Sequence, residues 1–109
     1  MKLLNAFSLN MVADGTLHIR AITASHAAQL LADHGLESCV GHDPALISRA
    51  LGMPVGESRR SIALAPDERA IVAQYIGPRL PQGSTELPPE AKLTFKLIHW
   101  TADALPDRL

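Results

Sequence analysis

TLHIRAITASHAAQLLADHG, residues 16–35, changes its hydrophobic period halfway along, and that change sets the fold class. From Thr16 to Ile22, the residues Leu17, Ile19 and Ala21 alternate with His18 and Arg20. A repeat of two predicts a strand with one wet face. Beyond Ile22 the spacing becomes helical, with Ala27, Leu30 and Leu31 forming one apolar stripe. Thr23 or Ser25 suits the helix cap, and Gly35 suits its stop. A strand feeding an amphipathic helix calls for a sheet with helices packed on it.

The flanking segments extend this pattern. KLLNAF (2–7) predicts a short buried strand, and Asp14-Gly15 marks a turn before the next one. LESCVG (36–41) predicts a third strand. Asp43 then caps a second helix, Pro44 fits its first turn, and Gly52 ends it, with Leu46, Ile47, Ala50 and Leu51 turned inward. RRSIALA (59–65) and RAIVAQYI (69–76) predict two strands joined in a hairpin at Pro66-Asp67-Glu68. GPRLPQGSTELPPE (77–90) holds four of the eight prolines, which makes it a long stiff loop ahead of a last strand, KLTFKLIHW (92–100). Residues 101–109 read as a frayed tail. The expectation is one mixed α/β (α+β) domain over 1–109, with two main helices on a mixed sheet of about five strands.

Composition narrows the function. A net charge of −1 gives no broadly basic face, so long nucleic acid is not an expected partner and any anion must be held by a local cluster. Cys39 is the single cysteine, which rules out an internal disulfide and suits a reducing compartment. No signal peptide and no membrane span are read from the chain.

Three clusters carry polar chemistry. In CVGHDPALI (39–47), His42 stands at the mouth of the second helix, where unpaired N–H groups and the helix dipole favour an anion. Donors from Ala45 and Leu46 remain available after Asp43 and Pro44. His42 there can pass a proton to a phosphate oxygen, or it can be a loop residue bonded to backbone. In GPRLPQG (77–83), Arg79 offers a guanidinium suited to a pair of phosphate oxygens, or else is a solvated loop arginine. In NAFSLNM (5–11), Asn5, Ser8 and Asn10 can hold a ribose or base, or else serve turn chemistry. Cys39 reads as a small buried thiol rather than a nucleophile. The five histidines show no zinc spacing, with His26 and His34 expected on a wet helix face.

The three motifs in this order, NAFSLNM, then VGHD before a helix, then PRLPQG after a strand, resemble the viral ring nuclease family of type III anti-CRISPR proteins and its cellular CRISPR-associated relatives. The resemblance covers about residues 2–100. It implies a small homodimer in the cytoplasm of a prokaryotic host. It implies binding of cyclic tetra-adenylate across the dimer interface and cleavage to linear di-adenylate without a metal or other cofactor. His42 matches the family's general acid, acting on the leaving 5′-oxygen, and the ribose 2′-hydroxyl is the nucleophile. Arg79 matches the arginine that supports the scissile phosphate. Asn5, Ser8 and Asn10 match ligand-contacting positions, and Asp43, Ala45, Gln74 and Gln82 fall at further expected contacts. The chain departs from the family where Gln82 replaces a usual Glu and where Pro44 and Ala45 replace small hydroxyl residues. Gln74 and Tyr75 compete for one position at which relatives often place Gln.

Overall fold

A computed structural model describes residues 1–102. The strands are β1 (Lys2–Leu4), β2 (Gly15–Ile22), β3 (Glu37–Cys39), β4 (Arg69–Ile76) and β5 (Lys92–Ala102). The helices are α1 (Ala24–His34) and α2 (Pro44–Leu51), with a single 3-10 turn at Leu9–Met11. The sheet order is β2-β5-β4-β1-β3. β1 runs parallel to both β3 and β4, while β5 is antiparallel to both β4 and β2. The mixed five-stranded sheet with two helices is the expected fold class.

β1 is central and short. Leu3 and Leu4 point to opposite faces and are both fully buried, as a strand covered on two sides requires. On Leu3's face, α1 and α2 supply Ala27, Leu31, Ile47 and Leu51 against Ile71, Ala73 and Phe95. On Leu4's face no helix packs. Leu64 and Cys39 close over Ala70, Ile98 and Trp100, with Phe7, Met11 and Ile62 around them.

The helix ends follow the sequence signals. The Thr23 hydroxyl accepts from the His26 N–H at 3.0 Å, and Gly35, at φ 83°, returns its N–H to the Leu31 carbonyl. Gly52, at φ 70°, ends α2 in the left-handed conformation that glycine tolerates. His26 and His34 are exposed on α1.

Several expectations are corrected. Residues 59–65 form no strand, and no hairpin joins them to β4. Both edges of β4 are taken, by β1 and β5. The segment instead passes along β3, where Ser58 N–H donates to the Val40 carbonyl at 2.8 Å, and then over the sheet face, where Leu64 N–H donates to the Met11 carbonyl at 2.7 Å. The Pro66-Asp67 turn survives as a turn alone, closed by Glu68 N–H on the Ala65 carbonyl. The first strand stops at Leu4, because Asn5 is drawn away by the loop at Gly41. β2 is an edge strand wet on both sides, with Ile19 60% exposed, so its alternation does not mark a buried face. Ala50 is exposed rather than turned inward. Thr101 and Ala102 belong to β5, and the rest of the expected frayed tail, residues 103–109, lies outside the described residues.

Candidate functional site

The loop from β3 to α2 is held from two sides. Asn5, just past β1, donates from Nδ2 to the His42 carbonyl at 3.2 Å and accepts the Gly41 N–H on Oδ1 at 3.0 Å. Arg59 donates from Nε to the Gly41 carbonyl at 3.0 Å. The backbone of Gly41 and His42 is thereby fixed while the His42 side chain stays exposed. β1 lies beside β3, so Asn5 and Gly41 meet because their strands end together.

Asp43 occupies the helix cap position, but not as the sequence suggests. Its backbone is left-handed, at φ 52° and ψ 45°, and its side chain makes no capping hydrogen bond. A non-glycine residue there stores strain of roughly 1–3 kcal/mol, and such strain gathers at functional sites. Pro44 has no N–H to offer. The first-turn N–H groups of Ala45 and Leu46 have no acceptor within the helix and no cap from Asp43, so they remain available to an anion.

His42 and Asp43 line a cavity of about 200 Å³ with Asn5, Leu46, Ile47, Ala73 and Tyr75. The register of β4 decides between Gln74 and Tyr75. Ala73 packs in the helix-side core, so Tyr75 shares its face and Gln74 points the other way. Gln74 is exposed on the face away from His42 and is not a residue of this cavity. Burial pushes the Tyr75 phenol up, and the charges of Asp43 and Glu90 push it the same way, which keeps it a neutral donor.

The Tyr75 hydroxyl donates to the Pro78 carbonyl at 2.6 Å and so anchors the start of the long loop that presents Arg79. Gly77 is required on this path: a Cβ there would lie 2.8 Å from the Tyr75 hydroxyl and 2.5 Å from the Ala91 Cβ. Arg79 is exposed and meets no carboxylate within ion-pair distance among the described residues.

Arg79, Ala45 and the other expected contacts do not line the cavity. Ser8 caps the 3-10 turn, accepting the Asn10 N–H on its hydroxyl at 3.3 Å, and Asn10 is exposed. Gln82 is exposed in the turn that Ser84 closes on the Pro81 carbonyl. Sequence reasoning did not single out Arg59, because its partner, a backbone carbonyl, leaves no sequence signal, and it left Tyr75 undecided against Gln74. Cys39 is buried, with the Arg60 guanidinium 3.4 Å from its Sγ. Among the described residues no group of three His, Cys, Asp or Glu could hold a metal ion, and no helix is long and apolar enough to cross a membrane.

A histidine fixed at a helix mouth, on a five-stranded mixed sheet with two helices on one face, defines a small α/β protein with a polar cleft at the ends of its parallel strands. The chain belongs to the STIV B116-like family, whose model matches residues 1–94. In structure it is similar to B116 of Sulfolobus turreted icosahedral virus, with a TM-score of 0.70 and 23% identity over 89% of this chain and 96% of that one. That likeness shows a shared fold. No curated protein matches the sequence.

Proposed function

We propose that the protein is a metal-independent ring nuclease that cuts cyclic tetra-adenylate into linear di-adenylate, working as a homodimer in the cytoplasm and switching off type III CRISPR signalling. The observation that carries this reading is the double clamp of Asn5 and Arg59 on the Gly41–His42 backbone, which leaves an imidazole free at an uncapped helix mouth.

The chemistry follows from these parts. A ribose 2′-hydroxyl attacks the adjacent phosphorus, forms a new P–O bond and gives up its proton to water. The bond to the 5′-oxygen breaks, and that oxygen takes a proton from the His42 imidazolium, which regains one from solvent. The product end is a 2′,3′-cyclic phosphate. The nucleophile is part of the substrate, so positioning counts for more than activation. Charge growing on the phosphorane oxygens is met by the fixed N–H groups of Ala45 and Leu46, and by the Arg79 guanidinium reaching in from its exposed loop. Tyr75, neutral and beside His42, can hold a ligand oxygen or keep Arg79's loop in place.

Size supports the dimer. A cavity of about 200 Å³ is too small for a ring of four nucleotides, since drug-sized ligands alone take roughly 300–1,000 Å³. Two such cavities related by a two-fold axis would suit a ring with two-fold symmetry, with one His42 for each of two opposite bonds. The rival is a sponge that binds the ring without cutting it. It is favoured by Gln82, which brings no carboxylate to the site and sits in an exposed turn. Incubating the protein with cyclic tetra-adenylate in EDTA, with binding and products followed together, separates the two. Linear di-adenylate supports the nuclease, binding without product supports the sponge, and no binding overturns both.

A further inference from the structure

The end of β4 remote from His42 carries a second cluster. Cross-strand register puts His18 of β2 opposite His99 of β5, and His99 opposite Arg69 of β4. Arg20 lies two residues along β2 from His18, on the same face. The His18 and His99 rings stand 5.9 Å apart between centroids. Two adjoining cavities, of about 370 and 490 Å³, share Arg69 and Leu97 and reach from His34 at the end of α1 to Arg20. Three of the chain's five histidines and two of its arginines thus border one trough floored by Leu97.

The charges in it are unbalanced. Asp67 is the one carboxylate lining it, and it is engaged by His99 Nε2 at 2.6 Å. Neither Arg20 nor Arg69 meets a carboxylate within ion-pair distance among the described residues. A solvated surface with mixed charges pairs or disperses its arginines. Here two stay unpaired on one sheet face, with Cα atoms about 12 Å apart by strand spacing, so that their long side chains can converge over Leu97.

We propose that this trough binds a short chain of phosphates, free or carried on a nucleotide, with the Arg20 and Arg69 guanidiniums each taking a pair of phosphate oxygens. His18 and His34 add N–H donors, and the His18 ring, tilted 36° to that of His99, offers a face on which a base can stack. Two permanent cations suit a few phosphates and not an extended backbone, which agrees with the net charge of −1. The combined volume suits a small molecule. The site is separate from the His42 cavity: Arg69 and Tyr75 are six residues apart on β4, about 20 Å. The proposal does not depend on the ring-nuclease reading.

The test is calorimetric titration of tripolyphosphate and of ATP, each in magnesium-free, low-salt buffer, into wild type, R20Q/R69Q, R20K/R69K and R79Q. Binding to wild type, at least about tenfold weaker in R20Q/R69Q, intermediate in R20K/R69K, which keeps the charge and loses the paired contact, and largely kept in R79Q, supports the site. Tighter binding of ATP than of tripolyphosphate assigns it to a nucleotide, and equal or weaker binding of ATP assigns it to the free chain. No binding by wild type, equal binding by R20Q/R69Q, or an equal loss in R79Q overturns it. Both arginines are exposed, so the double variant should fold. The single variants R20Q and R69Q, each expected to lose binding, serve if it does not.

Discussion

Asn5 and His42 are 37 residues apart in sequence and joined by a hydrogen bond of 3.2 Å, from the Asn5 amide to the His42 carbonyl. The same amide group accepts the Gly41 N–H. One short side chain therefore sets the backbone from which the imidazole projects. Asn5 is a positioning residue for His42, whatever else it touches when ligand is bound.

Asn5→Ala should cost roughly 1 kcal/mol of stability, a typical net value for a lost hydrogen bond. Its effect on turnover should be larger, about tenfold or more, because a displaced proton donor loses its geometry. Asn5→Asp keeps the acceptor for Gly41 and loses the donor to His42, so it should fall between. Chemical denaturation beside single-turnover cleavage checks both. Equal, small losses in each would mean that Asn5 does not position His42.

Arg59 holds the same loop through the Gly41 carbonyl, on the peptide between the two that Asn5 binds. Arg59→Met keeps the aliphatic stem and loses the bond to the Gly41 carbonyl. Its penalty on turnover should not add to that of Asn5→Ala, since both act through one loop. A double-mutant cycle measures this. Simple additivity within about 0.3–0.5 kcal/mol would show two independent roles.

Tyr75 and Gln74 should separate cleanly. Tyr75→Phe removes the bond that anchors Pro78 and frees the loop bearing Arg79, so KM should rise by several-fold with the fold intact. Gln74→Ala, on the opposite face, should leave KM and kcat unchanged. Steady-state kinetics on the two variants decide it, and a loss confined to Gln74→Ala would reverse the assignment.

Stability should depend on pH through Lys2 and Glu68, paired at 2.7 Å where β1 meets the start of β4. Burial alone would raise the Glu68 carboxyl, but the Lys2 hydrogen bond and the Ala65 N–H together hold it below the ordinary 4.5. Its contribution is present above that value and is lost as pH falls through the lower, folded one. The hydrogen bond to Glu68 raises Lys2 above its ordinary 10.5, against a smaller opposing effect of burial. That contribution is present below 10.5 and is lost only as pH rises through the folded value. Lys2→Met should cost roughly 1–2 kcal/mol at neutral pH. The gap between wild type and variant should close below pH 4.5. Urea midpoints across the acid range test this, and a gap that stays constant down to strong acid would contradict it.

Much of the frame was legible because local signals decide it. Thr23, Gly35 and Gly52 mark helix ends through bonds made within a few residues, and Pro44 through its fixed φ. The fate of Ile62 and Leu64 was not legible. An apolar alternation fits an extended segment lying across a sheet as well as a strand within it, and only the long-range pairing of β4 with β1 and β5 excludes the second. The site divides in the same way. His42 and Arg79 stand out by their settings, at a helix mouth and between prolines. The two-sided clamp on Gly41 depends on β1 lying beside β3 and on a backbone carbonyl as partner, neither of which leaves a local trace. Gln74 and Tyr75 were ambiguous because Ile71, Val72 and Ala73 are all apolar, so the strand gives no parity until its register is known.

The most direct measurement is cleavage of radiolabelled cyclic tetra-adenylate in EDTA by wild type and by His42→Ala, with binding followed on the same samples. The expected result is linear di-adenylate from wild type and near-complete loss of product in His42→Ala with binding retained. Equal cleavage by the variant, or wild type that binds the ring and leaves it intact, would contradict His42 as the acid of a metal-free nuclease.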